Sequence, residues 1–257
     1  MKKQYDLIVS FGEACSCTQC LRKAGMQKAS YPYDWISGPS FLDRIKIFLS
    51  KFDRFFDKKD LKENLPVSSD CHVYTNTYNN FCFCHDFIGR NTTLENSYLD
   101  AYNKYVRRIN RLFNNIQNSD NTLIVYMEYP INRDLVKITN EEIIKYFGLI
   151  MKSYKNIDLL YIAYDQSLKQ GILRKEKLTE NINKWTGNYK SKNAKYDYEV
   201  DEKLIVKALS KFAVLKIPFT LKLKSIVVKM MFVLVNCLIP IRSWRSKIRN
   251  KLRKIKY

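Results

Sequence analysis

The residues best suited to chemistry in this sequence are one cysteine and one histidine. Cys15 comes three residues after Gly12, where a short apolar segment turns into a helical one. A thiol in the first turn of a helix lies beside unpaired backbone N–H groups, which favour a thiolate and can also bind an oxyanion. A nucleophilic cysteine needs a base, and His85 and His72 are the two histidines of the chain. We take His85, which lies between aromatic residues on a predicted strand, as the base.

The sequence leaves open which acidic residue orients that base. Asp86 is adjacent to His85, but neighbours on a strand point to opposite faces of the sheet. Asp165 follows a later apolar strand, and Asp34 lies in an aromatic loop, Tyr31-Pro32-Tyr33-Asp34-Trp35. We assign Asp34 as the acidic member of the predicted catalytic set, with Asp86 and Asp165 as alternatives.

Four residues are predicted to contact the substrate. Ser10 and Gly12 flank the turn that leads to the thiol, and Gly12 allows the backbone to approach closely. Trp35 would form the lip of a pocket, or else cap the next helix. Arg108 lies in a run of arginines that can reach an anionic group or simply face solvent.

The chain has 257 residues, 46% of them hydrophobic and 27% charged, which excludes a disordered polymer and fits one domain with an appendage. Apolar runs predict strands, and helical spacing or a capping box (Thr139 with Glu142) predicts helices. The strands are expected at 5–11, 71–75, 81–87, 122–129 and 158–164, and the helices at 13–23, 41–56, 98–116 and from 139. This order predicts an α/β fold, a three-layer sandwich with a mostly parallel central sheet. The segment 165–202 is polar, with Trp185 as its main apolar anchor, and is expected to be less ordered.

Several of these blocks together resemble a known family. The segments IVSFGEACSCTQCLRKAG, YPYDWI, FCHDF, YVRRINRLF and TLIVYMEY are similar to a bacterial family of unknown function whose members are described as papain-like cysteine peptidases. The resemblance covers roughly residues 5–165 and implies a Cys-His hydrolase or acyltransferase site. A nucleophile after a central strand of a parallel sheet is closer to the arrangement of lipase-type esterases, so peptide cleavage, ester hydrolysis and acyl transfer all stay open.

The seven cysteines suggest a second reading. Besides Cys15 and Cys237, the sequence contains Cys17, Cys20, Cys71, Cys82 and Cys84, some of them next to the two histidines. Such residues can bind zinc, although the usual Cys-x2-Cys spacing occurs once. The alternative function is therefore a non-catalytic membrane-surface or partner-binding protein with a structural zinc site. For the catalytic reading we expect no cofactor and no metal.

The basic charge of the chain is concentrated at its C-terminal end. Lys and Arg total 45 against 25 Asp and Glu, a net charge of +20, and residues 203–257 contain 15 of the basic residues and none of the acidic ones. We therefore predict an α/β domain at 1–202 and a basic amphipathic helical tail at 203–257. Within the tail, the apolar run 230–241 is shorter than the roughly 20 residues that a spanning helix needs.

The tail combines an apolar stretch with a basic helix that carries Trp244, which is typical of segments that bind an anionic membrane surface. Nucleic-acid binding accounts for the charge but not for the apolar stretch, and a protein partner accounts for the apolar stretch but not for the charge. We expect membrane attachment and no nucleic acid. The start of the chain does not resemble a signal peptide, so we expect a cytoplasmic protein, with the inner face of the membrane as the surface for the tail.

Overall fold

The computed structural model describes residues 2–64, 71–89, 92–131 and 137–216, together with 230, 231 and 248. They form a mixed α/β structure. The helices are α1 (Cys15–Lys23), α2 (Phe41–Leu49), α3 (Leu94–Gln117), α4 (Asn140–Ser153) and α5 (Glu202–Phe212). The strands are β1 (Lys3–Tyr5), β2 (Leu7–Ser10), β3 (Leu61–Glu63), β4 (Cys71–Asn76), β5 (Cys82–Ile88), β6 (Thr122–Met127), β7 (Ile157–Tyr164), β8 (Leu173–Lys177), β9 (Ile182–Gly187) and β10 (Ala213–Leu215).

The central sheet has five strands in the order β2-β6-β7-β9-β8. The first four are parallel, and β8 pairs antiparallel with β9 at one edge. The mostly parallel sheet is as predicted. The placement of the Cys15 strand is not, because β2 lies at the opposite edge of this sheet and not at its centre. Parallel strands place their carboxyl ends at one edge of a sheet, so the residues that follow β2, β6 and β7 lie near one another.

Both faces of the central sheet are covered by apolar side chains. Strand β6 shows this directly, because all six of its residues are buried. Leu123, Val125 and Met127 pack in a cluster with side chains of α1 and α5, while Ile124 and Tyr126 pack in a second cluster with side chains of α2, α3 and α4. A continuous apolar run on a parallel strand is the pattern that such two-sided burial requires.

The segment after β7 is more structured than its polar sequence suggests. It forms the last two strands of the central sheet, and Trp185 on β9 is buried as predicted. Helix α5 follows and buries Leu209, and β10 pairs in parallel with β1. The first compact unit therefore extends to Leu215, beyond the expected boundary at residue 202.

Helix α2 is shorter than its apolar pattern predicts. It ends at Leu49 because the chain closes it with a Schellman motif, in which Lys51 N–H bonds to the Phe48 carbonyl and Phe52 N–H to the Ile47 carbonyl. Lys51 adopts φ 57° in that motif, a conformation in which glycine is more usual. Phe52 is buried all the same, so the turn preserves the apolar contact that the helical spacing indicated.

The predicted C-terminal tail begins inside the first compact unit, where residues 203–215 belong to α5 and β10. The rest of the tail is the second compact unit, Lys216–Tyr257, and nearly all of that unit is outside the described residues. The expected membrane-binding helix and its Trp244 therefore stay predictions. No helix in the described part of the chain is long and apolar enough to cross a membrane.

Candidate active site

Cys15 is the first residue of α1, as the sequence predicts. Strand β2 ends at Ser10, and Ala14, in an extended conformation, is the N-cap residue. The Gly12 N–H donates a hydrogen bond to Ser10 Oγ at 3.3 Å. A Cβ atom at Gly12 would stand 2.3 Å from the Cβ of Cys17. Glycine is thus required here by a close approach between the turn and the first turn of the helix.

Ser10 and Gly12 are both buried inside this turn. The Ser10 hydroxyl also lies beside the thiol of Cys17, where it lowers the pKa of that thiol, although burial raises the pKa overall to about 12. The two residues therefore hold the strand-to-helix turn in shape. Their predicted contact with substrate stays a prediction.

The carboxylate of Glu13 anchors the same turn to the next strand. It accepts a hydrogen bond from the Tyr126 hydroxyl on β6 and another, of 2.8 Å, from the Tyr129 N–H just beyond β6. Glu13 is nearly fully buried, and burial of a carboxylate is tolerated only with such partners. The sequence did not single out Glu13. The signal for this contact is an acidic residue that follows the apolar run ending at Phe11 by two positions.

Three donors surround the Cys15 thiol. The backbone N–H groups of Cys15 and Ser16 hydrogen-bond to it, and the side-chain amide of Gln19 lies 3.8 Å from Sγ. These N–H groups lower the pKa of the thiol, but burial is the larger effect and raises the pKa above its ordinary value. The sequence-based expectation that the helix terminus yields a thiolate is therefore wrong in its net direction. The resting thiol keeps its proton at neutral pH.

His85 is carried by a second, antiparallel sheet of three strands in the order β3-β4-β5. The pairing of β5 with β4 shifts between the pairs Phe83–Tyr74 and Phe87–His72. One residue of β4 therefore stands opposite the three residues 84–86 of β5. This two-residue bulge interrupts the strand at His85, and bulges of this kind re-aim side chains.

The bulge places the His85 side chain at the surface, while Phe83 and Phe87 on either side of it are buried. Its ring meets the indole of Trp35 edge-on, with centroids 6.0 Å apart. Partial burial is the largest cause and lowers the pKa of His85; the charge of Asp86 opposes it, and the charge of Lys104 adds a smaller lowering effect. His85 is therefore neutral at pH 7 and able to accept a proton.

No carboxylate among the described residues hydrogen-bonds to the His85 ring. Asp86 points away from it, because its buried side chain pairs with Lys104 and accepts a 2.7 Å hydrogen bond from the Tyr105 hydroxyl. Asp165 accepts hydrogen bonds from Ser167. The contact that the structure does give to the His85 ring is with Trp35.

Asp34 is fully buried and fixes the loop before Trp35 to helix α1. Its carboxylate accepts hydrogen bonds from Thr18 Oγ1 at 3.2 Å, Gln27 Nε2 at 2.6 Å and the Tyr31 N–H at 2.8 Å. Burial nevertheless raises the pKa of Asp34 to about 6, because it outweighs these bonds and the nearby arginines. Asp34 thus positions Trp35, and its direct action on His85 stays a prediction.

Basic side chains from two helices surround the Trp35 loop. Arg22 of α1 lies over the Trp35 ring at 5.1 Å and within 3.9 Å of Asp34. Arg111 of α3 donates to the Ser30 carbonyl. Arg108 of α3 lies over the Tyr105 ring, and its charge lowers the pKa of Asp34. One of its terminal nitrogens is buried and has no hydrogen-bond partner in the described structure. The predicted anionic contact therefore has a basic surface to support it.

Tyr198, which the sequence did not single out, is within electrostatic range of thiols from both halves of the candidate site. The charges that the thiols of Cys15 and Cys84 would carry both raise the pKa of its hydroxyl, after burial as the largest cause. Cys84 directly precedes His85. Tyr198 lies in the segment 165–202, which the sequence predicts to be less ordered.

The zinc alternative finds little support in the described residues, where no group of three or more His, Cys, Asp and Glu side chains could hold a metal ion. Cys17 and Cys20 lie on α1 and are buried in the apolar cluster that this helix forms with β6 and α5. Cys82 and Cys84 lie on β5 and are partly exposed. These sulfur atoms are therefore divided between helix α1 and strand β5.

Comparison with known proteins identifies a family for this chain. The family model described as "Putative papain-like cysteine peptidase (DUF1796)" matches residues 6–156. The chain belongs to this family. The matched range contains Cys15, Asp34, Trp35 and His85, and it ends before Tyr198.

The chain is also similar to the Uncharacterized protein R408 of Acanthamoeba polyphaga mimivirus. The two are 24% identical over 179 residues, which is 63% of this chain and 79% of the viral protein. No solved structure matches the chain. The family name is thus the functional information that the comparisons carry, and the chemistry must be argued from the site.

Proposed function

We propose that this member of the papain-like family is a thiol hydrolase or acyltransferase, with Cys15 as nucleophile and His85 as general base. The observation that carries the proposal is the place of Cys15 at the first residue of α1, with the Gln19 amide 3.8 Å from its Sγ. The pKa of the Cys15 thiol is raised and the pKa of the His85 ring is lowered, which is consistent with it. The Cys15 thiol is therefore protonated and the His85 ring is neutral at pH 7, which is the starting state for general-base attack.

Each step of this mechanism has a residue for it. His85 takes the proton of Cys15 as the sulfur attacks an acyl carbonyl, whose oxygen becomes negative beside the N–H groups of Cys15 and Ser16. Gln19 supplies a third donor for that oxygen. The protonated His85 then gives its proton to the leaving group, and an acyl thioester remains on Cys15. Water, deprotonated by His85, releases the acid and restores the thiol.

The proposal includes both peptide and ester substrates. The Trp35 ring and the basic surface around it favour an acyl compound with an anionic group, because guanidinium groups bind carboxylates and phosphates well. Asp34 would act as the acid that orients His85 through the loop it holds. We also propose that the two apolar clusters make the domain a three-layer sandwich.

The test uses an activated ester, because the natural substrate is not identified. Full-length protein is treated with p-nitrophenyl acetate, and mass spectrometry locates the acetyl group. We expect acetylation of Cys15 and release of acetate with turnover, and a loss of about 10²-fold or more in rate for Cys15→Ser and for His85→Asn. His72→Asn is the matched control, since His72 lies on β4 and pairs with Glu63 of β3. Acetylation of another cysteine, with Cys15 unmodified, would overturn the proposal.

We further propose that the tail attaches the protein to an anionic membrane surface. The support is in the sequence, where residues 242–256 contain eight Lys or Arg interleaved with Trp244 and aliphatic residues. Flotation of the full chain with phosphatidylserine vesicles tests it. Binding must fall with salt and when four of these basic residues are changed to glutamine. Equal binding to neutral phosphatidylcholine vesicles would contradict it.

A further inference from the structure

Two thiols outside the proposed mechanism lie within contact distance of each other. Cys82 Sγ and Cys84 Sγ are 3.4 Å apart on β5, and both residues are partly exposed. Residues two apart on a strand share a face, so both side chains point to the same side of the sheet. The other described thiols, those of Cys15, Cys17 and Cys20, are buried.

The surroundings of Cys82 favour its thiolate. Hydrogen bonds from the side chains of Cys84, Thr75 and Ser37 outweigh burial and lower the pKa of Cys82 to about 6. By contrast, burial raises the pKa of Cys17 to about 12. Thiolate fraction and access decide which thiol reacts, and Cys82 has both.

The backbone around the pair is hydrogen-bonded to Ser37 at Cys82 and is bulged from Cys84 onward. Cys82 is fixed by two hydrogen bonds with Ser37, of 3.0 and 2.9 Å, one in each direction. Cys84 begins the bulge of residues 84–86, where β5 has more residues than its partner. Two residues on a strand are separated by about 6.5 Å between Cα atoms, inside the range that a disulfide spans. Forming the bond requires the two sulfur atoms to close from 3.4 Å to about 2.05 Å.

We propose that Cys82 and Cys84 form a dithiol site that reacts with low-molecular-weight disulfides, with Cys82 attacking and Cys84 resolving. The Cys82 thiolate attacks one sulfur of the small disulfide, so that a mixed disulfide forms and one small thiolate leaves. Cys84 then loses its proton and attacks the Cys82 sulfur, and the second small thiolate leaves. In total the two cysteines lose two electrons and two protons, and the small disulfide becomes two thiols.

The experiment titrates the full-length reduced protein with oxidised glutathione and blocks the remaining thiols with N-ethylmaleimide. Fragment-ion mass spectrometry then distinguishes the pair from Cys71. We expect the Cys82–Cys84 disulfide to form at lower glutathione disulfide than any other modification. Cys84→Ser should stop at glutathione bound to Cys82, and Cys82→Ser should slow the reaction at Cys84 at least tenfold.

A second measurement does not depend on any variant. Phenylarsine oxide bridges two neighbouring thiols, so the reduced wild-type protein should bind one equivalent at this pair, and prior oxidation by glutathione disulfide should abolish that binding. Cys20→Ser, which removes a buried thiol, is the matched control and should change neither result. Stable glutathione adducts on Cys82 in the wild type, with no disulfide to Cys84, would overturn the proposal. So would faster reaction at Cys15.

Discussion

Glu13 and Glu128 occupy equivalent positions after neighbouring parallel strands, and each carboxylate binds the same two groups of the next strand. Glu13 accepts from the Tyr126 hydroxyl and the Tyr129 N–H. Glu128 accepts from the Tyr161 hydroxyl at 2.6 Å and from the Tyr164 N–H at 2.7 Å. The carboxyl edge of the sheet is therefore tied together by a repeated carboxylate contact, and the first of these contacts is two residues from Cys15.

This repeat predicts different effects of two matched substitutions. Glu13→Gln and Glu128→Gln each lose one good acceptor for a buried donor, which should cost about 1–3 kcal/mol of unfolding free energy in both cases. Glu13→Gln should also slow acetylation of Cys15 by about tenfold, because the turn before the thiol loses its anchor, whereas Glu128→Gln should change that rate much less. Denaturant unfolding and the acetylation rate measure the two effects separately. Equal rates in both variants would show that Glu13 has only a structural role.

The pKa shifts predict the pH dependence of the Cys15 reaction. Neutral His85 is the reactive form, and its pKa is lowered from the ordinary 6.5. The rate of Cys15 acetylation should therefore rise with pH, with a midpoint below pH 6.5, and reach a plateau near neutrality.

His85→Asn is the control for this profile. Without the base, the reaction depends on the Cys15 thiolate, whose pKa is raised above the ordinary 9.0, so the variant should react appreciably only at high pH. A wild-type profile with the high-pH rise alone would exclude His85 as the base. Mass-spectrometric acetylation rates between pH 5 and pH 10 give both curves.

Two glycines predict opposite effects of the same change. Gly12→Ala puts a Cβ 2.3 Å from the Cys17 Cβ, so the turn must shift, and about 1–3 kcal/mol of stability should be lost together with Cys15 reactivity. Gly148→Ala in α4 meets nothing within 4 Å and should stabilise the protein by up to about 1 kcal/mol, since alanine favours a helix. Thermal or denaturant unfolding of the two variants compares them. A Gly12→Ala protein as stable and reactive as wild type would contradict the packing described here.

The buried carboxyl of Asp34 predicts a stability change at acid pH. Its pKa is raised to about 6 from an ordinary value of 3.8, so the folded protein holds a proton between these values that the unfolded chain has released. The contribution is fully present below about pH 4 and is lost as pH rises through 6, by about 3 kcal/mol. Asp34→Asn removes this titration. The difference in unfolding free energy between wild type and variant should therefore change with pH across pH 4–6 and stay constant above pH 7. A difference independent of pH would show that the pKa of Asp34 is not raised.

The sequence was sufficient for the elements whose apolar pattern matches one regular structure. The buried strands β2, β6 and β7 and the α4 capping box, in which Thr139 and Glu142 bond reciprocally, are confirmed. Each depends on local periodicity or on a cap within four residues. The turn that carries Cys15 was predictable for the same reason, since a glycine after an apolar run marks it.

The remaining features depend on contacts between distant segments. The bulge at His85 exists because β5 has two more residues than β4 opposite it, and neither strand shows this alone. The raised pKa of Cys15 is an effect of burial, which the first turn of a helix does not reveal. Strand β9 is polar along its sequence apart from Ile182 and Trp185, and it is recognisable as a strand through its pairing with β7.

The pairing of β1 with β10 has a consequence for the order in which the protein can fold during synthesis. Strand β1 precedes the Cys15 turn, and its partner is the last strand of the first unit. Helix α1 also packs against α5, where Lys23 pairs with Glu202. These neighbours leave the ribosome some 200 residues after Cys15, and long-range pairing must wait for both segments. The thiol therefore reaches its final position only when the unit is nearly complete, so a nascent chain has no assembled site.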